Sequence, residues 1–319
     1  MRARGGLLGW TATLCAAAWA GAPTGAGAAP PAKLRVIFVT HGQAGDPYWN
    51  AVKKGAHEGA RDFGAEVRYE APEIFDMSAM AKLIDAAVAA RPDGLVVSIP
   101  DAEALGPAIR SAVAAGIPVI GIDAGRSVYE SLGVSAYLGQ DEYQAGLAVG
   151  RRLGAGGATH ILCIHQEVGN VDLDNRCRGV TDGSGARVTV LPVPTDPSEV
   201  RSRVAGALQR SRDVDAMIAL GPLGAIPMLR AVDETDSRGR LKVLGTFDMT
   251  PEVLERVADG TLAFATDAQQ FLMGYLPVAL FRLHELYGVM PTESWPTGPR
   301  FVTRKEVARI LELSRQGYR

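Results

Sequence analysis

Cysteine is scarce, with three in 319 residues. That excludes a small disulfide-framework fold, and there is no CxxC pair to hold zinc. The five histidines, His41, His57, His160, His165 and His284, show neither HExxH nor close metal-ligand spacing, so no metal is expected. Charge of either sign is not in excess: the formal net charge is −2, which gives no basic surface for nucleic acid or an anionic membrane. No stretch beyond the N-terminus is long and apolar enough to span a bilayer. There is no GxSxG nucleophile elbow and no Walker A loop. Gly154-Ala155-Gly156-Gly157 follows a helical pattern and reads as a C-cap and turn, not a dinucleotide loop. No catalytic residue and no cofactor is therefore expected.

What is present begins with an export signal. Arg2 and Arg4 make a positive start, Leu7–Ala20 is apolar, and Ala26-Gly27-Ala28 is a small-x-small cleavage site. The apolar run is shorter than the ~20 residues a membrane span needs. Leu14 is too large for the residue that precedes a lipidated Cys15. A cleaved leader over residues 1–28, a periplasmic address and no membrane insertion after cleavage are expected. Cys163 and Cys177 then remain as an even pair in an oxidising compartment. A single disulfide and two buried thiols both fit that count, and the disulfide is the expectation put to the test.

The rest alternates. Apolar runs at Leu34–Val39, Ala65–Tyr69, Gly94–Ile99, Ile117–Ile122 and Val134–Leu138 are separated by helical patterns at Asn50–Gly64, Met77–Ala90 and Glu103–Ala115. From Glu142 the rhythm starts afresh, through runs at Thr159–Ile164, Val188–Leu191, Val214–Leu220, Leu241–Phe247 and Leu262–Thr266, and ends in a long helix at Phe271–Tyr287. Strands of about six residues alternating with helices of about a dozen mean βαβ units and a parallel sheet. Two such series predict an α/β protein of two similar doubly wound lobes.

In open parallel sheets the ligand crevice lies at the carboxyl ends of the strands. Asp46, Asp123, Arg176, Gly221, Asp248 and the segment 267–270 all fall at such ends or at the start of the next helix. Two opposed edges would make a cleft of carboxylates, amides, one guanidinium and aromatics, which suits a neutral polyhydroxylated ligand. Tyr48 and Trp49 could cover a sugar ring, or could simply open a helix and pack into the core. His41 and His165 read as polar lining more readily than as a pair bridging the cleft. Asp123 and Asp248 could act as paired carboxylates for glycoside hydrolysis only at a spacing that sequence does not reveal.

The motifs GDPYWNAVKKGA, RPDGLVVSIPD, AAGIPVIGIDAG, YLGQDEYQAG, NRCRGV, VLGTFD and FATDAQQFLMGY, in this order after an export signal, resemble the type I periplasmic sugar-binding proteins of ATP-driven (ABC) importers, the ribose- and galactose-binding kind. The likeness covers essentially the whole mature chain. It implies two lobes joined by a three-segment hinge: residues 29–140 plus 269–290, and residues 141–268 plus 291–319. Crossings are expected near Gln140-Asp141, Ala268-Gln269 and Pro291. It implies that Asp46, Asp123 and Asp248 accept from sugar hydroxyls, that Tyr48 and Trp49 stack, and that Arg176 donates. Gly221 stands where the family often has an asparagine, Ala124 where several members have an arginine, and Ala268 where glutamine is common, with Gln269 as its substitute. The implied function is a monomeric, non-enzymatic receptor that carries a sugar or sugar alcohol to the permease subunits of an ABC importer. The alternative is a sensor that presents its closed form to a chemoreceptor or sensor kinase.

Overall fold

The computed structural model describes residues 33–42 and 46–319. The leader over residues 1–28 lies outside that range. Twelve strands follow in order: β1 Leu34–Val39, β2 Ala65–Glu70, β3 Gly94–Val97, β4 Val119–Ile122, β5 Ala136–Gly139, β6 His160–His165, β7 Arg187–Pro192, β8 Ala216–Ala219, β9 Val243–Thr246, β10 Phe264–Asp267, β11 Trp295–Pro296 and β12 Arg300–Val302. The helices are α1 Pro47–Phe63, α2 Met77–Ala89, α3 Ala102–Ala114, α4 Glu142–Ala155, α5 Val171–Ser184, α6 Pro197–Arg210, α7 Pro222–Glu234, α8 Pro251–Ala258, α9 Gln270–Tyr287 and α10 Val307–Arg315.

The strands form two six-stranded sheets, ordered β11-β5-β4-β3-β1-β2 and β12-β10-β9-β8-β6-β7. Every pairing is parallel except β10 with β12. Each sheet therefore repeats one doubly wound order, with its switch point between β1 and β3 or between β6 and β8. Burial follows position. β3, β4, β8 and β10 are buried at every residue, as strands covered on both faces must be. The edge strands β2 and β7 are half open to water.

Helix α1 begins three residues earlier than its periodicity suggests. Asp46 Oδ1 accepts from Tyr48 N at 2.9 Å and Pro47 takes the first helical position. A side-chain acceptor at the N-cap and a proline with preset φ make a strong start signal. Tyr48 and Trp49 are thereby fixed in the first turn, at the carboxyl edge of the sheet.

The chain passes between the sheets at residues 140–141, 268–269 and 297–299. The third crossing falls past Pro291, because Trp295 and Pro296 pair with Leu138 and Gly139 in the first sheet. The expected boundary at residues 290 and 291 is corrected accordingly. A two-residue strand containing proline leaves no periodic trace, and β12 and α10 were likewise not foreseen.

Glycines let two helix pairs approach closely. A Cβ on Gly146, Gly150 or Gly154 of α4 would strike the backbone of α5 at Arg176, Val180 or Ser184. A Cβ on Gly55 of α1 or Gly274 of α9 would strike the partner backbone in the same way. The close packing of α4 on α5 sets the distance between Glu142 and Arg176, which matters below.

Cys163 of β6 and Cys177 of α5 are bonded, with Cα atoms 6.2 Å apart. The bond ties α5 to β6, the strand next to the β7 edge of its sheet, one residue from Arg176. Thiol titration of denatured, non-reduced protein lacking residues 1–28 should find no free thiol, and two would contradict the pairing. Replacing both cysteines with alanine should lower stability by about 2–3 kcal/mol in chemical denaturation, the scale for a cross-link closing a loop of this length.

Candidate functional site

The carboxyl edges of the two sheets face each other across a polar cavity. From the first lobe come His41, Asp46, Tyr48, Trp49, Asp123 and Ala124. From the second come Glu142, Gln166, Glu167, Asn170, Asp172, Leu173, Arg176, Leu220, Gly221, Pro222, Leu223 and Asp248. Seven of the eight expected site residues are brought together. The exception is Gln269, which lies behind the cavity at the second crossing. Its amide donates to Thr297 O and its oxygen accepts from Arg319 Nη1 at 3.3 Å. Its backbone is left-handed, with φ +56°, which turns it into the hinge and away from the ligand side. Gln269 joins two crossings and does not line the cleft.

Arg176 is the centre of the second lobe's half. Its Nε donates to Glu142 Oε2 at 2.5 Å and its Nη2 to Glu142 Oε1 at 3.1 Å. Nη1 donates to Leu220 O and to Asp248 Oδ2, each at 2.7 Å. The guanidinium also lies over the Phe247 ring, 4.8 Å from its centroid. Burial disfavours its charge, but Asp248 and Glu142 together hold its pKa well above the usual arginine value. Four of its five N–H donors are used within the lobe, which leaves one for a ligand. Asp248 keeps Oδ1 without a partner.

In the first lobe Tyr48 donates its hydroxyl to Asp123 Oδ1. Trp49 is 2% exposed and contacts His41 and Tyr48 edge-on, at centroid distances of 4.9 and 5.2 Å. It both lines the cavity and packs on the core, so the two roles open to it in the sequence are combined. Asp123 and Asp248 follow β4 and β9, equivalent strands of the two lobes. Both carry positive φ, +64° and +60°. Left-handed non-glycine residues concentrate at functional sites. Tyr48 holds one oxygen of Asp123 and Arg176 one oxygen of Asp248.

Gly221 lacks an amide, and Gln166 supplies one. A Cβ at position 221 would come within 2.9 Å of Gln166 Nε2. Gln166 Oε1 has no partner among the described residues. The segment 166–173, not singled out as site lining in the sequence, lies after β6 as residues 40–49 lie after β1. That equivalence was the signal available for finding it. His165 faces elsewhere and bonds Asp174 at 3.1 Å, so no histidine pair spans the cleft.

The lobes touch. Asp172 Oδ2 accepts from Gly125 N at 2.7 Å, Val171 N donates to Pro100 O at 3.2 Å, and His41 Nε2 lies 3.8 Å from Glu167 Oε2. Gly125 has φ +101°, and a Cβ there would collide with Ile99, so only glycine presents this N–H. This is a closed arrangement. Among the described residues, no group of carboxylates, histidines or cysteines has the geometry to hold a metal ion.

Closure buries carboxylates. Burial raises Asp46 to about 6, Asp123 to about 7 and Glu167 to about 8, against ordinary values near 4. Burial lowers His41 to about 3, helped by the charge of Arg176, so the imidazole is neutral. Raised carboxylate values mean that the closed form binds more protons than the open one. The corresponding stability is complete below pH 4 and is lost as pH rises through about 6 to 8. Small-angle scattering of ligand-free protein should show expansion between pH 5 and pH 8.5, and a constant or shrinking radius would contradict this.

Comparison with known proteins agrees with this geometry. The periplasmic binding protein domain family matches residues 36–284. The structure is similar to a carbohydrate transporter from Acidothermus cellulolyticus solved in complex with myo-inositol, at 36% identity and TM-score 0.85, covering 90% of this chain and all of that one. It is also similar to a periplasmic sugar-binding protein of an ABC sugar transporter from Legionella pneumophila, at 25% identity and TM-score 0.78, covering 83% of this chain and all of that one. The xylose/arabinose-binding protein of Sulfolobus acidocaldarius is 26% identical over 302 residues, 88% of this chain and 74% of the relative. Two parallel-sheet lobes of one topology, three crossings and a polar cavity between facing strand ends place this chain in the periplasmic binding protein family, in its type I, sugar-binding branch.

Proposed function

We propose that this protein captures a sugar or cyclic polyol between its lobes and delivers it, unaltered, to the permease subunits of an ABC importer. The observation that carries the reading is the closed cavity itself. It presents carboxylates and a guanidinium from fixed positions, an aromatic wall at Tyr48 and Trp49, and unpartnered acceptors at Asp248 Oδ1 and Gln166 Oε1. Hydroxyls of a polyol offer the donors those acceptors need, and C–H faces of a ring cover the aromatics. The similarity to a transporter protein that holds myo-inositol supports a ring of that size and polarity.

Asp46, Tyr48, Trp49 and Asp123 then grip the ligand from the first lobe, and Arg176, Gln166 and Asp248 from the second, with Gly221 leaving room for the Gln166 amide. Contacts to both lobes favour the closed form over the open one, which is what makes ligand a cause of closure. The protein acts as a monomer in the periplasm after loss of residues 1–28. Among the described residues no helix is long and apolar enough to cross a membrane.

A thermal-shift screen over pentoses, hexoses and inositols should find a stabilising ligand, and mass analysis should recover it unchanged. Arg176→Ala should weaken its affinity by about 2 kcal/mol, or about thirtyfold, as expected for a lost charge-assisted donor. Trp49→Ala should cost about 1–3 kcal/mol in the same titration. Affinity unchanged in both folded variants, or a hydrolysed or oxidised sugar, would contradict the reading.

A further inference from the structure

Charge in the cavity does not balance. Six carboxylates line it: Asp46, Asp123, Glu142, Glu167, Asp172 and Asp248. Against them stands one guanidinium, and Glu142 and Asp248 already take its donors. His41 adds no charge, since burial keeps it neutral. Four carboxylates are left without a cation among the described lining residues. Buried carboxylates lacking a countercharge are costly and call for one.

They also converge. His41 Nε2 lies 3.8 Å from Asp123 Oδ2 and 3.8 Å from Glu167 Oε2. These separations exceed a direct hydrogen bond, and both oxygens lie near the same ring nitrogen. The surroundings hold each group in place. Tyr48 donates to the other oxygen of Asp123, and Asn170 Nδ2 donates to Glu167 Oε2 at 2.8 Å. Ser98 Oγ lies 2.8 Å from His41 Nδ1. Ser98 Oγ also accepts from His41 N at 3.0 Å, so the imidazole is held in place from two sides. The unpartnered polar atoms elsewhere in the lining, Asp248 Oδ1 and Gln166 Oε1, are acceptors as well.

We propose that the cavity selects a polyol bearing a protonated amine, an amino sugar or aminocyclitol, and seats its ammonium between Asp123 and Glu167. This rests on the polyol reading above and sharpens its ligand class. An ammonium has three donors and no acceptor, whereas a hydroxyl has one donor, so only the ammonium donates to both carboxylates at once. Its charge offsets the carboxylates that a neutral polyol leaves to be neutralised by protons. Trp49, edge-on to His41, adds an aromatic surface beside the cation. Uronates and sugar phosphates are excluded by the same carboxylates.

Calorimetric titration at pH 7.0 with matched pairs tests this: glucose with glucosamine, galactose with galactosamine, and myo-inositol with an amino-deoxy-inositol. N-acetylglucosamine and glucuronate serve as uncharged and anionic controls. In the pair that binds, the amine should be at least about tenfold tighter than its hydroxyl parent, acetylation should abolish the gain, and glucuronate should not bind. Glu167→Gln should collapse the amine-to-hydroxyl ratio towards one, and Asp123→Asn serves the same purpose should the first variant not fold. A hydroxyl parent that binds as tightly as its amine, or more tightly, overturns the ammonium site and leaves the polyol reading standing. No binding by any member of any pair overturns both.

Discussion

A guanidinium cannot be buried without partners, and Arg176 finds all of its protein partners in its own lobe. Glu142 is the N-terminal residue of α4, Asp248 follows β9, and Leu220 O ends the strand region of β8. Three separate elements are thus held in register by one side chain. The glycine-lined approach of α4 and α5 permits it, and the Cys163–Cys177 bond anchors the helix that carries it. Because the second lobe solves its own electrostatics, it can separate from the first without exposing an unpaired arginine. That is a requirement for a cleft that opens and closes.

Contacts across the cleft are few and of a different kind. Asp172 with Gly125 N and Val171 N with Pro100 O join the rims, and both pairs have ready replacements in water when the lobes part. Closure is therefore a balance of modest terms. Rim hydrogen bonds favour it, and desolvation of Asp46, Asp123 and Glu167 opposes it. A ligand that donates to these carboxylates removes the opposing term at the moment the lobes meet. Affinity for ligand and preference for the closed form then have the same physical source.

Much of this was legible in the sequence. Apolar runs bounded by turn residues located the strands, and the parallel arrangement then required every polar loop after a strand to share one edge. That reasoning reached Asp46, Asp123, Arg176, Gly221 and Asp248 without side-chain geometry. It could not reach Glu142 or Gln166. Glu142 reads as an ordinary acidic residue in a first helical turn, and its role appears only once α4 lies on α5. Gln166 matters because a glycine fifty-five positions away leaves space for its amide. Gln269 failed for a related reason: adjacency to Ala268 in sequence says nothing about direction, and a left-handed backbone points it into the hinge. The position of the third crossing was hidden because Trp295-Pro296 joins the sheet for only two residues.

Capture between the lobes requires that one ligand be held by both at once in a closed cleft. The most direct measurement is a crystal structure of the protein with its tightest-binding polyol. The expected result is one ligand molecule in hydrogen-bond contact with Asp46 or Asp123 on one side and with Arg176 or Asp248 on the other, its ring against Trp49. A ligand bound to a single lobe, or at a surface site while the cleft between Asp123 and Asp248 stays free of it, would contradict the account.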